Sequence, residues 1–210
     1  VGAGPSGLEA ARALAERGYD VMVSEGRDTL GGRVTLESAL PGLSAWGRVR
    51  DYRVYQLQQK GNVQLYTNSA LTVADVMEAG ANHVAIATGS TWRQDGVGRT
   101  HQVAIPGSAA RHVLTPDDVM AGAVVEGHVM VFDDDHYYMG GALAELLVKW
   151  GYSVVLVTPE PEVSSWTHKT MEQHRIQGRL LDLGVDIVVG HAVERARSDG
   201  LVLQCVYTER

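Results

Sequence analysis

Residues 1–7 read VGAGPSG, a G-x-G-x-x-G loop, and residues 8–17 continue as LEAARALAER with apolar side chains at helical spacing. Such a loop turns tightly from a strand into a helix, and the amino end of that helix attracts an anion. Pro5 suits a first helical position, and Gly18 suits the end of the helix. The sequence therefore predicts a helix that begins at a pyrophosphate-binding turn.

A carboxylate follows the loop at the spacing of a dinucleotide-binding fold. Residues 20–25 read DVMVSE, which is typical of a strand, and the strand ends at Glu25, 18 residues after Gly7. In the dinucleotide fold an acid at about this distance binds a ribose hydroxyl. We therefore predict that Glu25 binds the ribose of the same nucleotide.

Two further segments point to the same ligand. A glycine pair ends at Gly32 and permits close approach of the backbone, and Arg33 can reach a phosphate. Residues 83–87 are apolar and predict a buried parallel strand that ends in Thr88 and Gly89. Small residues at the carboxyl end of such a strand leave room for a nucleotide.

Composition limits the class of protein and its partners. The net charge is −7 and no basic run is present, so we expect no nucleic-acid partner. No apolar stretch is long enough to predict a membrane span. Cys205 is the single cysteine, which excludes disulfides, cysteine-based zinc sites and iron–sulfur ligation within these residues and favours a reducing cytoplasm. Only Val1 represents the strand that should precede the loop, so we expect a piece of a longer protein.

The rest of the chain predicts an α/β fold of two Rossmann-like βαβ domains, truncated at the first strand. We assign residues 1–122 to an ADP/FAD-type nucleotide-binding domain and residues 123–210 to an incomplete, inserted NAD(P)-binding-like domain. A helix is predicted to start with Thr115 as N-cap and Pro116 in its first turn. The other predicted elements are helices at 46–60, 72–79, 140–150 and 168–183, strands at 63–67, 128–132, 153–157 and 186–189, and a hairpin with its turn at 198–200.

The second domain lacks a glycine loop at the corresponding place. Residues 133–135 are three aspartates, and Thr158 stands where a ribose-binding acid is expected. Carboxylates there repel a phosphate, and large side chains block close approach of the backbone. We infer that this domain does not bind NAD(P) in the usual manner. A metal site at residues 133–135 is an alternative, although three consecutive residues cannot easily all face one ion.

These motifs together resemble those of the flavoproteins with two dinucleotide-binding domains. A narrower set resembles the C-terminal nucleotide-binding region of the trimethylamine dehydrogenase family, which includes the dimethylamine and histamine dehydrogenases. The matching residues run along nearly the whole chain: ALPGL at 39–43, Trp46, RDY at 50–52, ADV at 74–76, Gly89 with Trp92, and LTP at 114–116.

The resemblance implies a module of the glutathione-reductase type that holds ADP where the adenosine half of FAD would lie. It implies an N-terminal barrel with FMN and a 4Fe–4S cluster, a homodimer, and transfer of electrons to an electron-transferring flavoprotein. It implies no catalytic residue in this region. By resemblance the cofactor-binding residues are Gly2, Gly4, Pro5, Ser6, Gly7, Glu25, Gly26, Arg27, Gly32 and Arg33, with Thr88 and Gly89 bordering the site.

Two other functions fit the sequence. One is a FAD- and NADPH-using enoate reductase or demethylase of the NADH:flavin oxidoreductase family, which requires a pyrophosphate in the second domain. The other is a non-catalytic nucleotide-binding or docking module, whose ligand serves only assembly.

Overall fold

A computed structural model describes residues 1–123 and 127–208 of the chain. The chain divides into two compact units, Val1–Ser90 and Thr91–Arg210. Residues 91–122, which sequence analysis assigned to the first domain, pack with the second unit. One link is the hydrogen bond from the Ala196 N–H to the Pro106 carbonyl, 2.8 Å long. The assignment of a domain boundary at residue 122 stays a prediction.

The first unit pairs two parallel strands and covers them with helices. Strand β1 (Val21–Ser24) pairs with β2 (Val63–Tyr66), with Val21 opposite Val63. The predicted strands at 20–25 and 63–67 and the helices at 8–17, 46–60 and 72–79 are confirmed, each within a few residues. The helices of this unit are α1 (Pro5–Glu16), α2 (Arg33–Glu37), α3 (Gly47–Gln58) and α4 (Val73–Glu78), with a short 3-10 helix at Ser44–Trp46.

The core of the first unit joins α1 to the sheet and to α3. Apolar residues of α1 recur at the three- and four-residue spacing of one helix face, and Leu8 and Ala11 on that face are buried. They pack with Ala3, with Val23 of β1 and with Leu57 of α3. This packing fixes the amino end of α1 beside the loop that precedes it.

The prediction of a buried strand at residues 83–87 is wrong. The segment forms no strand, and Ile86 is 70% exposed. The Val1 amino group donates to the Ala85 carbonyl, and the Ala87 N–H donates to the Val1 carbonyl, both at 2.8 Å. These two bonds are the pattern of a single parallel bridge. The described residues form no further backbone hydrogen bond with residues 83–87.

The second unit holds a parallel sheet of three strands and an antiparallel hairpin. The sheet has the order β3 (Val129–Phe132), β4 (Val154–Val157) and β5 (Asp186–Val188), which confirms the three predicted strands. The predicted hairpin is β6 (His191–Arg197) with β7 (Gly200–Cys205). The helices are α5 (Pro116–Met120), α6 (Met139–Lys149) and α7 (Gln173–Asp182).

Two helix predictions in this unit have different outcomes. Thr115 caps α5 as predicted: its hydroxyl accepts from the Asp118 N–H, and the Asp118 carboxylate accepts from the Thr115 N–H. The helix predicted at 168–183 is instead a 3-10 helix at Ser165–Thr170 followed by α7. Met171, with φ of 59°, adopts a left-handed conformation between them and interrupts the helical bonding.

No helix within residues 1–123 and 127–208 has the length and apolar composition needed to cross a membrane.

We expect Leu8→Ala to lower the free energy of unfolding by about 2–5 kcal/mol, since Leu8 is fully buried and its truncation leaves a cavity. Leu14→Ala is the matched control, because Leu14 lies on the same helix and is 40% exposed. It should cost less than about 1 kcal/mol. Urea denaturation followed by circular dichroism measures both, and equal losses would contradict this account of the core.

Candidate nucleotide-binding site

Two glycines of the first loop are required by backbone contacts. Gly2 has φ of 94°, and a Cβ placed on it would lie 2.4 Å from the Ala87 carbonyl oxygen. A Cβ on Gly7 would lie 2.0 Å from the Gly2 carbonyl oxygen. No side chain fits at either distance. The two glycines therefore let α1 and residues 87–88 approach the start of the chain.

Gly4 differs from its two neighbours in the motif. A Cβ on Gly4 would meet no described atom within 4 Å, and its φ of −71° is open to any residue. Gly4 is also the N-cap residue of α1. The space beside Gly4 therefore opens directly at the amino end of the helix.

The amino end of α1 is suited to an anion. No side chain of the described residues caps it, and its first turn contains no acidic residue. Pro5 has no N–H, and the first bond of the helix runs from the Leu8 N–H to the Gly4 carbonyl at 2.9 Å. The amides of Ser6 and Gly7 precede that bond, so they have no acceptor within the helix. These N–H groups and the helix dipole favour negative charge at this point.

Glu25 is buried beside the loop and held in place by the backbone. One carboxylate oxygen accepts from the Ala3 N–H at 2.9 Å, and the other accepts from the Arg27 N–H at 3.0 Å. A carboxylate offers about four acceptor positions, so about two remain for the hydroxyls of a ribose. The geometry thus fits the role predicted for Glu25.

The glycine pair packs directly on the first loop. The Gly31 N–H donates to the Ala3 carbonyl at 2.8 Å. A Cβ on Gly32 would lie 3.0 Å from the Gly4 Cα, and Gly32 has φ of 53°. Both glycines therefore support a close contact between two loops, as the sequence predicted.

Arg33 and the residues after 87 lie at the same place. The Arg33 guanidinium donates to the Ser90 carbonyl at 2.6 Å. The Thr88 Cα would lie 3.1 Å from a Cβ on Gly2. Gly89, with φ of 79°, connects Thr88 to Ser90 and so borders the site as well.

Gly26 and Arg27 lie one step further from the open space. A Cβ on Gly26 would contact Ala70 at 3.5 Å rather than the loop. The Arg27 side chain is exposed, and this residue contributes its backbone N–H to Glu25. The other ten predicted residues are brought together around the first loop.

Ala3 is a site residue that sequence analysis missed. Its side chain is fully buried, its N–H binds Glu25, and its carbonyl binds Gly31. It therefore ties the acid and the glycine pair to the loop. The available signal was its small size and its position between the first two glycines of the motif.

The corresponding place in the second unit is filled by a carboxylate. Asp133 is 2% exposed, and a Cβ on Gly140 would lie 2.6 Å from the Asp133 Cγ. One Asp133 oxygen accepts from the His136 N–H at 3.1 Å, whereas the other has no partner among the described residues. Thr158 is fully buried, and its hydroxyl accepts from the Glu160 N–H at 3.3 Å.

The alternative of a metal site at residues 133–135 receives no support. Asp133 binds the backbone at His136, whereas Asp134 binds the backbone at Arg99 and Thr100. Among the described residues no three or more His, Cys, Asp or Glu side chains are grouped so that they could hold a metal ion.

Comparison with known proteins agrees with this architecture. Residues 1–63 match the NAD(P)-binding Rossmann-like domain, and residues 114–210 match the OYE-like second alpha/beta domain. Histamine dehydrogenase from Rhizobium sp. 4-9 has 54% identity and a TM-score of 0.97, and the match covers 100% of this chain and 33% of that protein. The 6-hydroxypseudooxynicotine amine oxidase of Pseudomonas geniculata has 44% identity and a TM-score of 0.97, and the match covers 100% of this chain and 31% of that protein. Dimethylamine dehydrogenase from Hyphomicrobium is 38% identical over 90% of this chain and 26% of its own length.

The fold, the glycine loop and these similarities define a nucleotide-binding region of FAD/NAD-type oxidoreductases. The predicted α/β, Rossmann-like class is therefore confirmed. This chain has close homologues in dimethylamine and histamine dehydrogenases, which are of the trimethylamine dehydrogenase family. It spans 26% of the length of the first of these relatives and 33% of the second.

Asp133 gives the second unit a predictable dependence on pH. Burial raises the pKa of the Asp133 carboxyl to about 6, above the ordinary value of 3.8 that it regains on unfolding. The folded state therefore binds this proton more tightly, and the stabilisation is present below about pH 4 and lost as pH rises through 6. A shift of this size corresponds to about 3 kcal/mol at most.

We expect Asp133→Asn to remove this dependence. The melting temperature of the variant should rise relative to that of the parent protein between pH 4 and pH 7, because the parent must ionise a buried acid. Asp135→Asn is the control for the change of charge in the same loop. A difference between parent and Asp133→Asn that stays constant over this range would contradict the assignment.

Proposed function

We propose that this region binds ADP, or the ADP half of FAD, at its first glycine loop. The observation that carries the proposal is the open space at Gly4, which lies at the uncapped amino end of α1. At the other two glycines of the motif, Gly2 and Gly7, a Cβ would instead meet protein atoms. A pyrophosphate in that space accepts hydrogen bonds from the first amides of the helix.

The flanking side chains suit the remainder of the same ligand. Glu25 offers its unused acceptor positions to the ribose hydroxyls. Arg33 supplies a positive charge at the edge of the loop. The match of residues 1–63 to a Rossmann-like domain supports a cofactor of the FAD/NAD type. The choice of ADP follows from the family resemblance.

For the whole protein we propose the oxidation of a small amine by oxidative N-demethylation. The similarity to dimethylamine dehydrogenase supports this substrate class. FMN and a 4Fe–4S cluster outside these residues would supply the redox chemistry. We further propose that the same protein contains an N-terminal barrel domain, that it forms a homodimer, and that an electron-transferring flavoprotein accepts its electrons. We also propose a cytoplasmic location and no nucleic-acid or membrane partner. The role of residues 1–210 is to bind and orient a nucleotide.

A NADPH-using enoate reductase or demethylase is the second candidate. It is favoured by the match of residues 114–210 to the OYE-like second alpha/beta domain. It requires a pyrophosphate at the β3–α6 loop, where Asp133 already lies against Gly140. A non-catalytic docking module is the third candidate, and a barrel-coding sequence directly upstream would count against it.

Identification of the bound nucleotide tests the proposal. We expect the full-length protein, denatured in acid, to release about one ADP per chain, identified by its mass. Release of FAD in place of ADP would favour the NADPH-using enzyme, especially if NADPH also binds tightly. Protein that is folded and releases no adenine nucleotide would overturn the proposal.

Gly4→Ala should weaken nucleotide binding at least about tenfold without unfolding the protein, since the new methyl group enters the open space and meets no protein atom. Gly61→Ala is the matched control, because a Cβ there also meets open space but lies at the opposite end of the first sheet. Nucleotide content and circular dichroism are measured for both. Full occupancy in Gly4→Ala would contradict the site.

Gly7→Ala should instead destabilise the first unit, because its methyl group would lie 2.0 Å from the Gly2 carbonyl oxygen. We expect a lower melting temperature even in protein freed of nucleotide. A variant as stable as the parent would show that α1 does not approach the loop this closely.

A further inference from the structure

Residues 98–101 form a short segment, here called the strap, that binds one carboxylate with several donors. The Asp134 carboxylate accepts from the Arg99 N–H at 2.6 Å, from the Thr100 N–H at 3.1 Å, and from the Thr100 hydroxyl at 2.5 Å. A hydrogen bond closes the strap, with the Gly98 N–H donating to the His101 carbonyl at 3.0 Å. Hydrogen bonds to an ionised acceptor are stronger than neutral ones.

The strap is built to admit this carboxylate. A Cβ on Gly98 would lie 2.3 Å from an Asp134 carboxylate oxygen, so a side chain there would collide with it. Asp134 keeps only 15% of its side chain exposed. Its negative charge is therefore largely removed from solvent and is compensated by donors of the strap.

Two aromatic contacts hold the strap at its ends. The Arg99 guanidinium lies 4.0 Å from the centre of the Trp166 ring, a cation–π distance. The His101 ring lies 5.9 Å from the ring of Phe132. The backbone of Trp166 is held in turn by its amide N–H, which donates to the His136 carbonyl at 2.9 Å.

These contacts share one location in the second unit. Phe132 is the last residue of β3, Asp134 lies in the loop from β3 to α6, and Trp166 lies in the 3-10 helix that follows β4. All three therefore lie at or beyond the carboxyl ends of parallel strands. In open α/β sheets this is the crevice in which ligands bind.

We propose that Asp134 is an intramolecular latch that closes the strap over the carboxyl ends of β3 and β4. The carboxylate takes the place of a ligand anion, and Arg99 covers the aromatic face of Trp166. The chain therefore seals this crevice with its own residues. The inference takes from the proposed function only that the second unit holds no dinucleotide.

The latch differs from the charge repulsion that the sequence suggested for residues 133–135. Asp133 is buried against α6, and Asp134 is bound by the strap. Asp135 makes no hydrogen bond to the strap in the part of the chain that the structure describes. The change from Asp to Asn removes one charge at either position, but only at Asp134 does it also weaken the hydrogen bonds to the strap. Comparing the two variants therefore separates the effect of the latch from the effect of the charge.

The test uses the full-length protein and four forms of it: the parent, Asp134→Asn, Thr100→Val and the control Asp135→Asn. Thr100→Val keeps the shape of the side chain and every charge, so it loosens the strap without threatening the fold. Hydrogen–deuterium exchange by mass spectrometry reports on peptides that cover the strap. Trypsin cleavage after Arg99 reports the same opening, with cleavage after Arg111 as internal reference. Both residues are exposed, so a difference between the two cleavage rates reports how firmly the backbone is held at Arg99.

We expect exchange in the strap and cleavage after Arg99 to accelerate at least about tenfold in Asp134→Asn, and by a smaller factor in Thr100→Val. Asp135→Asn should behave as the parent does. NADPH added to the parent should leave exchange in the strap unchanged.

Equal behaviour of Asp134→Asn and Asp135→Asn would overturn the latch, as would cleavage of the parent after Arg99 as fast as after Arg111. Protection of the parent strap by NADPH would overturn the sealed crevice. Nucleotide released from the same preparation by acid is a separate readout, so failure of the proposed function is distinguishable from failure of the latch.

Discussion

The backbone contact between Gly7 and Gly2 sets the geometry of the first unit. Because no side chain separates them, α1 begins directly against the first residues of the chain. The same approach brings residues 87–88 over Gly2 and the glycine pair over Gly4. Three loops thus converge on one helix end, and the space that remains beside Gly4 is the space that the proposed ADP site requires. Ala3 connects these loops through its two backbone groups.

The two units show two uses of the same architecture. In each, a loop leads to the amino end of a helix, to α1 from Val1 in the first unit and to α6 from β3 in the second. At the first loop Gly4 faces open space, whereas at the second a buried aspartate lies against Gly140. The second loop thus has a glycine where a side chain would collide with the Asp133 carboxylate. The amino end of a helix attracts an anion, and that anion can come from a ligand or from a buried carboxylate of the protein.

Local patterns predicted the elements whose stability is local. The glycine loop with α1, the capped helix at Thr115 and the β6–β7 hairpin were all readable from short stretches of sequence. Residues 83–87 were predicted wrongly, since strand formation depends on a partner, and among the described residues only Val1 forms backbone hydrogen bonds with this segment. Met171 interrupts the predicted helix through its left-handed backbone, and neither glycine nor proline marks that position in the sequence.

The candidate site was predictable to a similar extent. The loop glycines, Glu25 and Arg33 lie where their spacing suggested, and Ala3 was missed since its contribution is made by the backbone. The partner of Asp134 was beyond sequence reasoning, because its donors at residues 99 and 100 lie 34 and more positions away in the chain. No periodicity links a carboxylate to backbone amides at such a distance.

Glu25 also has a consequence for how the site is dissected. Its two oxygens accept hydrogen bonds from the Ala3 and Arg27 amides, so the side chain supports the loop in the absence of a ligand. Replacing it would disturb scaffold and recognition in a single step, and a weakened affinity would not reveal which had failed. Nucleotide analogues that lack one ribose hydroxyl leave the hydrogen bonds of Glu25 to the Ala3 and Arg27 amides unchanged. Their affinities therefore measure what this acid contributes to recognition of the ligand.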